Sequence, residues 1–78
     1  MPKGITKAPA KSIVCFPIGE KQWRISIDGK THPSDFVSSQ DCRLWVGNMW
    51  DHGFYTERPL YVMTQTGALN PTTPLHAD

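Results

Sequence analysis

Residues 23–27 constrain the fold more than any other part of the sequence. They read WRISI, so apolar side chains alternate strictly with polar ones. Such alternation places the apolar side chains on one face of an extended segment, which is the pattern of a half-buried β-strand. Asp28-Gly29 follows directly, and this pair favours a tight hairpin turn because Gly adopts a positive φ freely and Asp tolerates one. The chain is therefore predicted to contain at least one antiparallel hairpin.

Further short strands are predicted on both sides of this turn. Residues 12–16 form a β-branched and aromatic run that ends at a proline, which favours a strand over a helix. Residues 42–46 alternate apolar and polar side chains and end at a Gly-Asn pair, so they predict another strand. Residues 54–56 and 60–64 predict two more pieces. Pro59 lies between those pieces and lacks an N–H donor, so an edge, a bulge or a bend is expected there.

Helical signals are weaker than strand signals. Residues 33–37 begin with Pro and Ser, which suit a helix start, but Ser38-Ser39 do not propagate it, so at most one short helical turn is expected. A chain of 78 residues has room for one small domain. The predicted fold class is β-rich, either all-β or small α+β, with three to five short strands in an antiparallel sheet or a partly open barrel.

The overall charge is near zero, but it is unevenly distributed. Lys3, Lys7 and Lys11 give the first eleven residues a charge of +3 with no acid, and the remainder has five basic and seven acidic side chains, a net of −2. Residues 1–11 have no periodic apolar face and are predicted to form a flexible basic arm. Residues 12–66 are predicted to form the compact domain. Residues 67–78 are rich in Pro and small polar side chains and are predicted to form a flexible tail.

Several sequence features favour a soluble cytoplasmic protein. No run approaches the roughly 18 to 20 apolar residues needed to span a bilayer, and residues 1–11 lack an apolar signal-peptide core. The two cysteines, Cys15 and Cys42, are far fewer than small secreted domains of this size usually contain. Free thiols are therefore expected, and a disulfide between these residues is the less favoured alternative.

Metal binding and catalysis receive little support from residue spacing. Cys15, His32, Cys42 and His52 are all at least ten positions apart, whereas structural zinc sites draw paired ligands from short turns. Asp51 and His52 are adjacent, and adjacent side chains in an extended segment point to opposite faces. No nucleophile elbow or phosphate loop is present. We therefore expect no metal, no cofactor and no enzymatic activity.

Residues 45–55 contain the densest group of large apolar side chains in the sequence. Two Trp, one Phe, one Tyr and one Met lie within eleven positions, interrupted by Gly and Asn residues that predict a turn. Large rigid side chains exposed on a turn are typical of binding hot spots, although in a small domain the same rings can fold back as core. The predicted partner-binding residues are Trp45, Met49, Trp50, Asp51, His52, Tyr55, Arg43 and Arg58.

These features predict a small non-enzymatic interaction or regulatory protein that binds a macromolecule, in the first place a protein. Compact chains without catalytic motifs are typical of accessory factors and inhibitors, such as those that phages and mobile elements encode. A sheet with apolar side chains on both faces also needs two covers. A second copy of the chain is one candidate for the second cover, so a homodimer is an alternative.

A nucleic-acid-binding module is the alternative function. Bases stack on exposed rings while Lys and Arg neutralise phosphates, and the chain has a basic arm and rings next to arginines. The net charge of −2 on residues 12–78 counts against this alternative, because it repels a polyanion. The residues predicted for it are Lys3, Lys7, Lys11, Arg24, Arg43 and Trp45.

Overall fold

A computed structural model describes residues 11–76 of the chain. Five strands and one helix follow one another in the order β1 (Ile13–Gly19), β2 (Gln22–Ile27), β3 (Lys30–Phe36), α1 (Ser39–Asp51), β4 (Leu60–Met63) and β5 (Leu69–Thr72). The small β-rich fold class predicted from the sequence is confirmed. The helix is 13 residues long, so the expectation of at most one helical turn was too low.

The five strands form a single sheet in the order β3-β2-β1-β4-β5. Neighbouring strands pair antiparallel except β1 and β4, which are parallel, so the sheet is mixed rather than wholly antiparallel. The parallel pair arises because α1 returns the chain across the sheet before β4 begins, as parallel neighbours require. β3 and β5 are the edge strands, and each contains a proline, Pro33 and Pro71, which an edge tolerates.

The predicted hairpin is confirmed at β2 and β3. Ile27 pairs with Lys30 across a two-residue loop. The two loop residues, Asp28 and Gly29, have φ values of 53° and 86°. Positive φ at both central positions matches the right-handed twist of the flanking strands, which is why Asp-Gly is favoured at such a turn. The strands predicted at residues 12–16 and 60–64 are also confirmed, as β1 and β4.

Residues 42–46 lie in α1, so the strand predicted there was wrong. Ser38 caps the helix because its Oγ accepts a hydrogen bond from the backbone N–H of Asp41 at 3.2 Å. The acidic side chain of Asp41 in the first turn also suits the positive end of the helix dipole. Cys42 and Val46, four positions apart, are buried on the same side of the helix. The alternation of residues 42–46 therefore fitted a strand only over a short window.

Three other predicted segments differ from the structure. Residues 33–36 belong to β3 instead of a helical turn. Residues 54–56 form no strand, because Gly53 and Tyr55 have φ values of 85° and 59° and turn the chain back. β5 lies beyond residue 66, where a flexible tail was predicted, so the compact domain extends further than expected. The predicted basic arm, except for Lys11, lies outside the described residues.

The core lies between α1 and one face of the sheet. Its fully buried members are Ile13, Cys15, Ile25, Cys42, Val46 and Leu60. Cys15 pairs with Ile25 and Ile13 pairs with Leu60, so register alone places the strand residues on one face. Partly buried side chains extend this cluster at its margin, namely Trp23, Ile27, Phe36, Trp45, Trp50, Tyr55 and Val62. The apolar face predicted for residues 23–27 is therefore confirmed as the core face.

The opposite face of the sheet is also partly apolar. Val14 pairs with Tyr61, and Met63 pairs with Leu69, so these four side chains share the face that points away from α1. Val14 and Leu69 are buried, whereas the other two are partly exposed. Within the described residues, α1 has too few residues to cross a bilayer, and no other segment forms a helix of that kind.

Candidate interaction surface

A series of neighbouring rings crosses the molecule from the edge strand β3 to the segment after α1. Trp45 lies at its centre, with ring centroids 4.9 Å from His32, 6.1 Å from Phe36 and 6.4 Å from Tyr55. The ring of Tyr55 in turn lies 6.3 Å from that of Phe54. These separations are within the range of favourable aromatic pairs. We call these five side chains the ring series.

The ring series connects the core to solvent. Phe36, Trp45 and Tyr55 are half-buried and pack against the core cluster, whereas Phe54 at the end of the series is 55% exposed. Ile18 and Val37 are exposed as well, and single exposed apolar side chains are common on protein surfaces, but Phe54 adjoins the partly buried rings of the series. The exposed end therefore marks a place where another molecule can add apolar contact.

A shallow cleft opens beside Trp45 on α1. Leu44, Trp45, Asn48 and Asp51 line it, and their spacing puts them along one side of the helix. The cleft volume of about 280 Å³ lies just below the roughly 300 to 1,000 Å³ typical of small-molecule sites. Its size and its open, mixed lining suit an inserted side chain of a macromolecule better than a cofactor.

Arg58 contacts the ring series at Tyr55 and links it to the β2–β3 turn. Its Nε and Nη2 donate to the two carboxylate oxygens of Asp28 at 3.2 and 2.9 Å, and its Cζ lies 5.8 Å from the Tyr55 ring centroid. The forked geometry fixes the guanidinium, which can then attract the face of the Tyr ring. Hydrogen bonding to Arg58 also holds the pKa of the Asp28 carboxyl below its usual value. The hairpin turn and the post-helix segment are thereby linked.

The end of α1 is closed by its own following residues. The imidazole Nδ1 of His52 lies 2.8 Å from the carbonyl oxygen of Asn48 and donates to it. The backbone N–H of Phe54 donates to the carbonyl oxygen of Met49 at 2.8 Å. These bonds satisfy carbonyl groups that a helix end leaves without partners. They also set the direction in which Phe54 and Tyr55 leave the helix.

Trp50 lies in the last turn of α1, not at the exposed turn predicted for it, and it packs against the core. Its indole Nε1 is buried and has no hydrogen-bond partner among the described residues. An unpaired buried donor costs about 1 to 3 kcal/mol in desolvation. Replacing Trp50 by a smaller residue would remove its packing against the core, which outweighs relief of that cost, and so would disturb the fold together with any surface that it helps to form.

The structure brings together part of the predicted partner-binding set. Trp45 and Asp51 line the cleft, and Tyr55 and Arg58 adjoin it through the ring series. Met49 is half-buried, and His52 is exposed at the helix end. Arg43 lies on α1, where its Nε donates to the carbonyl oxygen of Thr73 at 2.8 Å instead of facing the cleft.

Five members of the surface were missed from the sequence: His32, Phe36, Leu44, Asn48 and Phe54. A helical reading of residues 39–51 would have placed Leu44 and Asn48, four positions apart, on one side. The strand predicted for residues 42–46 instead placed Leu44 and Trp45 on opposite faces. His32 and Phe36 gave no signal, because only the β2–β3 pairing brings them under the helix.

The described residues among those predicted for nucleic-acid binding are divided between the two sides of the sheet. Arg24 points away from the core face of β2, and its Nε donates to Asp35 Oδ1 at 2.6 Å. Arg43 and Trp45 are on α1, on the other side of the sheet. Lys11 is exposed, while Lys3 and Lys7 lie outside the described residues.

The candidate metal ligands and thiols are placed separately from the cleft. Cys15 and Cys42 are free and fully buried in the core. A hydrogen bond between the two thiols and burial both raise the pKa of Cys15 above its ordinary value. The His32 ring lies against Trp45 at a tilted angle of 54°, and His52 binds the helix end. Residues 11–76 contain no group of three His, Cys, Asp or Glu side chains arranged to hold a metal ion.

Comparison of the chain with protein-family models, with curated proteins and with solved structures finds no match.

Proposed function

We propose that this chain is a non-enzymatic interaction module that binds a protein partner through the cleft and the ring series. The observation that carries the proposal is the continuity from half-buried Trp45 through Tyr55 to exposed Phe54, next to a cleft of about 280 Å³. Rigid rings that are already ordered lose little entropy on binding, which is why they dominate the energetics of protein interfaces.

The charges near the surface favour a protein over a nucleic acid. Asp51 lines the cleft, so a phosphate there would meet a like charge. Arg58, which lies against the Tyr55 ring of the series, is already paired with Asp28. Exposed Asp51 and His52 can instead form a polar rim around an apolar centre, which is the arrangement of protein–protein interfaces.

Chemistry of the side chains supports a role without catalysis. The thiol of Cys15 is buried and its pKa is raised, so little nucleophilic thiolate forms near neutral pH. His32, His52 and His76 each contact a ring, a helix carbonyl or a carboxylate. An accessory regulator or inhibitor, such as phages and mobile elements encode, is the role that we propose for such a module.

The test is capture of partners from a lysate of the source cells by wild-type protein and by two variants. Leu44→Glu introduces a charge into the cleft, and Phe54→Ser removes the exposed ring. Ile18→Ser is the matched control, because Ile18 is also an exposed apolar residue, 43% exposed, but lies at the far end of β1. We expect wild type and the control to retain one defined protein, both before and after nuclease treatment. We expect both surface variants to lose this protein.

Two results would contradict the proposal. Retention of the same protein by Leu44→Glu and Phe54→Ser, with both variants folded by circular dichroism, would remove the cleft from the interface. Loss of all captured material on nuclease treatment would favour the nucleic-acid alternative.

A further inference from the structure

The segment after β5 lies along the outer side of α1. We call residues 73–76 the C-terminal strap. Its first contact is with Arg43, whose Nε donates to the carbonyl oxygen of Thr73 at 2.8 Å. The backbone N–H of Leu75 donates in return to the carbonyl oxygen of Arg43 at 3.1 Å. One helix residue thus binds both an acceptor and a donor of an extended backbone, two positions apart.

Gly47 makes the close approach of the strap to the helix feasible. It is buried, and a Cβ atom built at this position would lie 1.8 Å from the carbonyl oxygen of Leu75. Any other residue would therefore push the strap away from the helix. Glycine inside a helix costs roughly 0.5 to 1 kcal/mol relative to Ala. The close backbone contact explains why α1 contains this unfavourable residue at its centre.

A contact between an imidazole and a carboxylate lies at the far end of the strap. The imidazole Nδ1 of His76 lies 3.3 Å from the carboxylate of Asp51, and both side chains are more than half exposed. Asp51 also lines the cleft, so the strap ends at the border of the candidate interaction surface. Arg43, Gly47 and Asp51 are spaced four residues apart and follow one line along the helix. We call this line the α1 groove.

We propose that the α1 groove is a binding site for an extended peptide, and that the strap is its resident, exchangeable ligand. The site selects a backbone carbonyl and an N–H two residues apart, followed by a basic side chain that pairs with Asp51. Main-chain hydrogen bonds and a fitted backbone are the usual means by which proteins hold extended peptides. This proposal goes beyond the function proposed above and does not depend on it.

The strap is suited to exchange because its contacts with the helix are mainly polar and near the surface, with buried Gly47 beneath it. Thr73 and His76 are exposed, and Pro74 and Leu75 are only half-buried. Exposed ion pairs contribute about 1 kcal/mol or less, and segments with few buried contacts open at low free-energy cost. Release of the strap would free the carboxylate of Asp51 and uncover Gly47 next to the cleft.

The first test measures amide hydrogen exchange of Leu75 in the full chain by NMR. In Gly47→Ala the new methyl displaces the Leu75 carbonyl, so protection of the Leu75 N–H is expected to be lost while β1 and β4 amides stay protected. Asn48→Ala is the matched control, since Asn48 is the next helix residue and is exposed. Unchanged protection of Leu75 in Gly47→Ala would overturn the proposal.

A second, milder variant keeps the test valid if Gly47→Ala unfolds. Arg43→Lys keeps the positive charge but removes the Nε donor that binds Thr73. Faster exchange at Leu75, without change in the sheet amides, is expected. Exchange identical to wild type at Leu75 would show that Arg43 does not hold the strap and would count against the groove.

The second test asks whether the groove accepts a peptide in trans. Full-length Leu75→Pro lacks the N–H that binds the Arg43 carbonyl, so its own strap is weakened. A synthetic peptide of residues 73–78 is then expected to shift the Gly47 amide resonance at about millimolar concentration, the range in which a tethered segment acts. The same peptide with proline at position 75 is the control. No shift with the natural peptide, or equal shifts with both, would show that the strap is a fixed part of the fold.

Discussion

The two sides of α1 are held by different interactions. On the inner side, Cys42 and Val46 are fully buried against β1 and β2 in a dry apolar cluster. On the outer side, the strap contacts the helix through hydrogen bonds at Arg43, a close backbone approach at Gly47 and an exposed imidazole–carboxylate contact at Asp51. Apolar burial dominates folding free energy, whereas exposed polar contacts add little. The inner side therefore determines stability, and the outer side is where contacts can change without loss of the fold.

The largest expected difference between the two sides comes from a core truncation. Val46→Ala removes two buried methyl groups and leaves a cavity, so we expect a loss of about 2 kcal/mol in the free energy of unfolding. Asn48→Ala on the exposed side should change it by less than about 0.5 kcal/mol. Urea denaturation monitored by Trp fluorescence measures both. Equal losses in the two variants would remove the distinction between inner and outer sides.

Alkaline pH should weaken the inner side specifically. The hydrogen bond to Cys42 and burial raise the pKa of the Cys15 thiol above its ordinary value of 9.0, which we take for the unfolded chain. Folded protein therefore keeps a proton that unfolded protein loses, so stability is complete below pH 9 and falls as the pH rises above it. The expected slope is about 1.4 kcal/mol per pH unit for one thiol.

Cys15→Ala is the control for this pH dependence, with the slope rather than the absolute stability as the readout. Urea midpoints should decline more steeply above pH 9 in wild type than in Cys15→Ala. Equal slopes of the urea midpoint against pH in the two proteins would contradict the raised pKa of the Cys15 thiol. Water would then reach the inner side of α1 more easily than the burial of Cys15 indicates.

The smallest effect is expected at the brace of the ring series. Arg58→Gln removes the hydrogen bonds to Asp28, so the pKa of Asp28 should rise towards its ordinary value of 3.8. The wild-type pair adds stability above that pH, and the contribution disappears as acidification protonates Asp28. NMR titration of the Asp28 carboxyl measures the change. Arg24→Gln is the control, because Arg24 pairs with Asp35; an equal shift in both variants would contradict a specific brace.

Strands with strong local patterns could be predicted from the sequence, but edge strands could not. Residues 23–27 alternate over a full strand and are followed by Asp-Gly, so β2 and its turn were foreseen. β3 and β5 contain prolines and mostly polar side chains, and they become strands because a neighbouring strand supplies their hydrogen bonds. Tertiary pairing of this kind has no local signature.

The helix was missed because two periodicities overlap in residues 42–46. Cys42, Leu44 and Val46 alternate as in a strand, while Cys42, Trp45 and Val46 follow a helical spacing. The hydrogen bond from Asp41 to the cap residue Ser38 favours the helix. Gly47 argues against a helix in the sequence, because the contact that explains it is with Leu75, far away along the chain. The sequence predicted four residues of the surface, namely Trp45, Asp51, Tyr55 and Arg58. It did not predict the residues next to them, because those follow from the helical spacing of α1.

Site-specific photo-crosslinking in a lysate of the source cells tests the central claim most directly, namely that the exposed end of the ring series is a protein-binding surface separate from the core. A photoreactive phenylalanine analogue would replace Phe54 in one sample and Ile18 in another, since both residues are exposed apolar residues. We predict one defined protein adduct from position 54 and none from position 18, with unchanged thermal unfolding in both. No adduct from position 54, or the same adducts from both positions, would contradict the account.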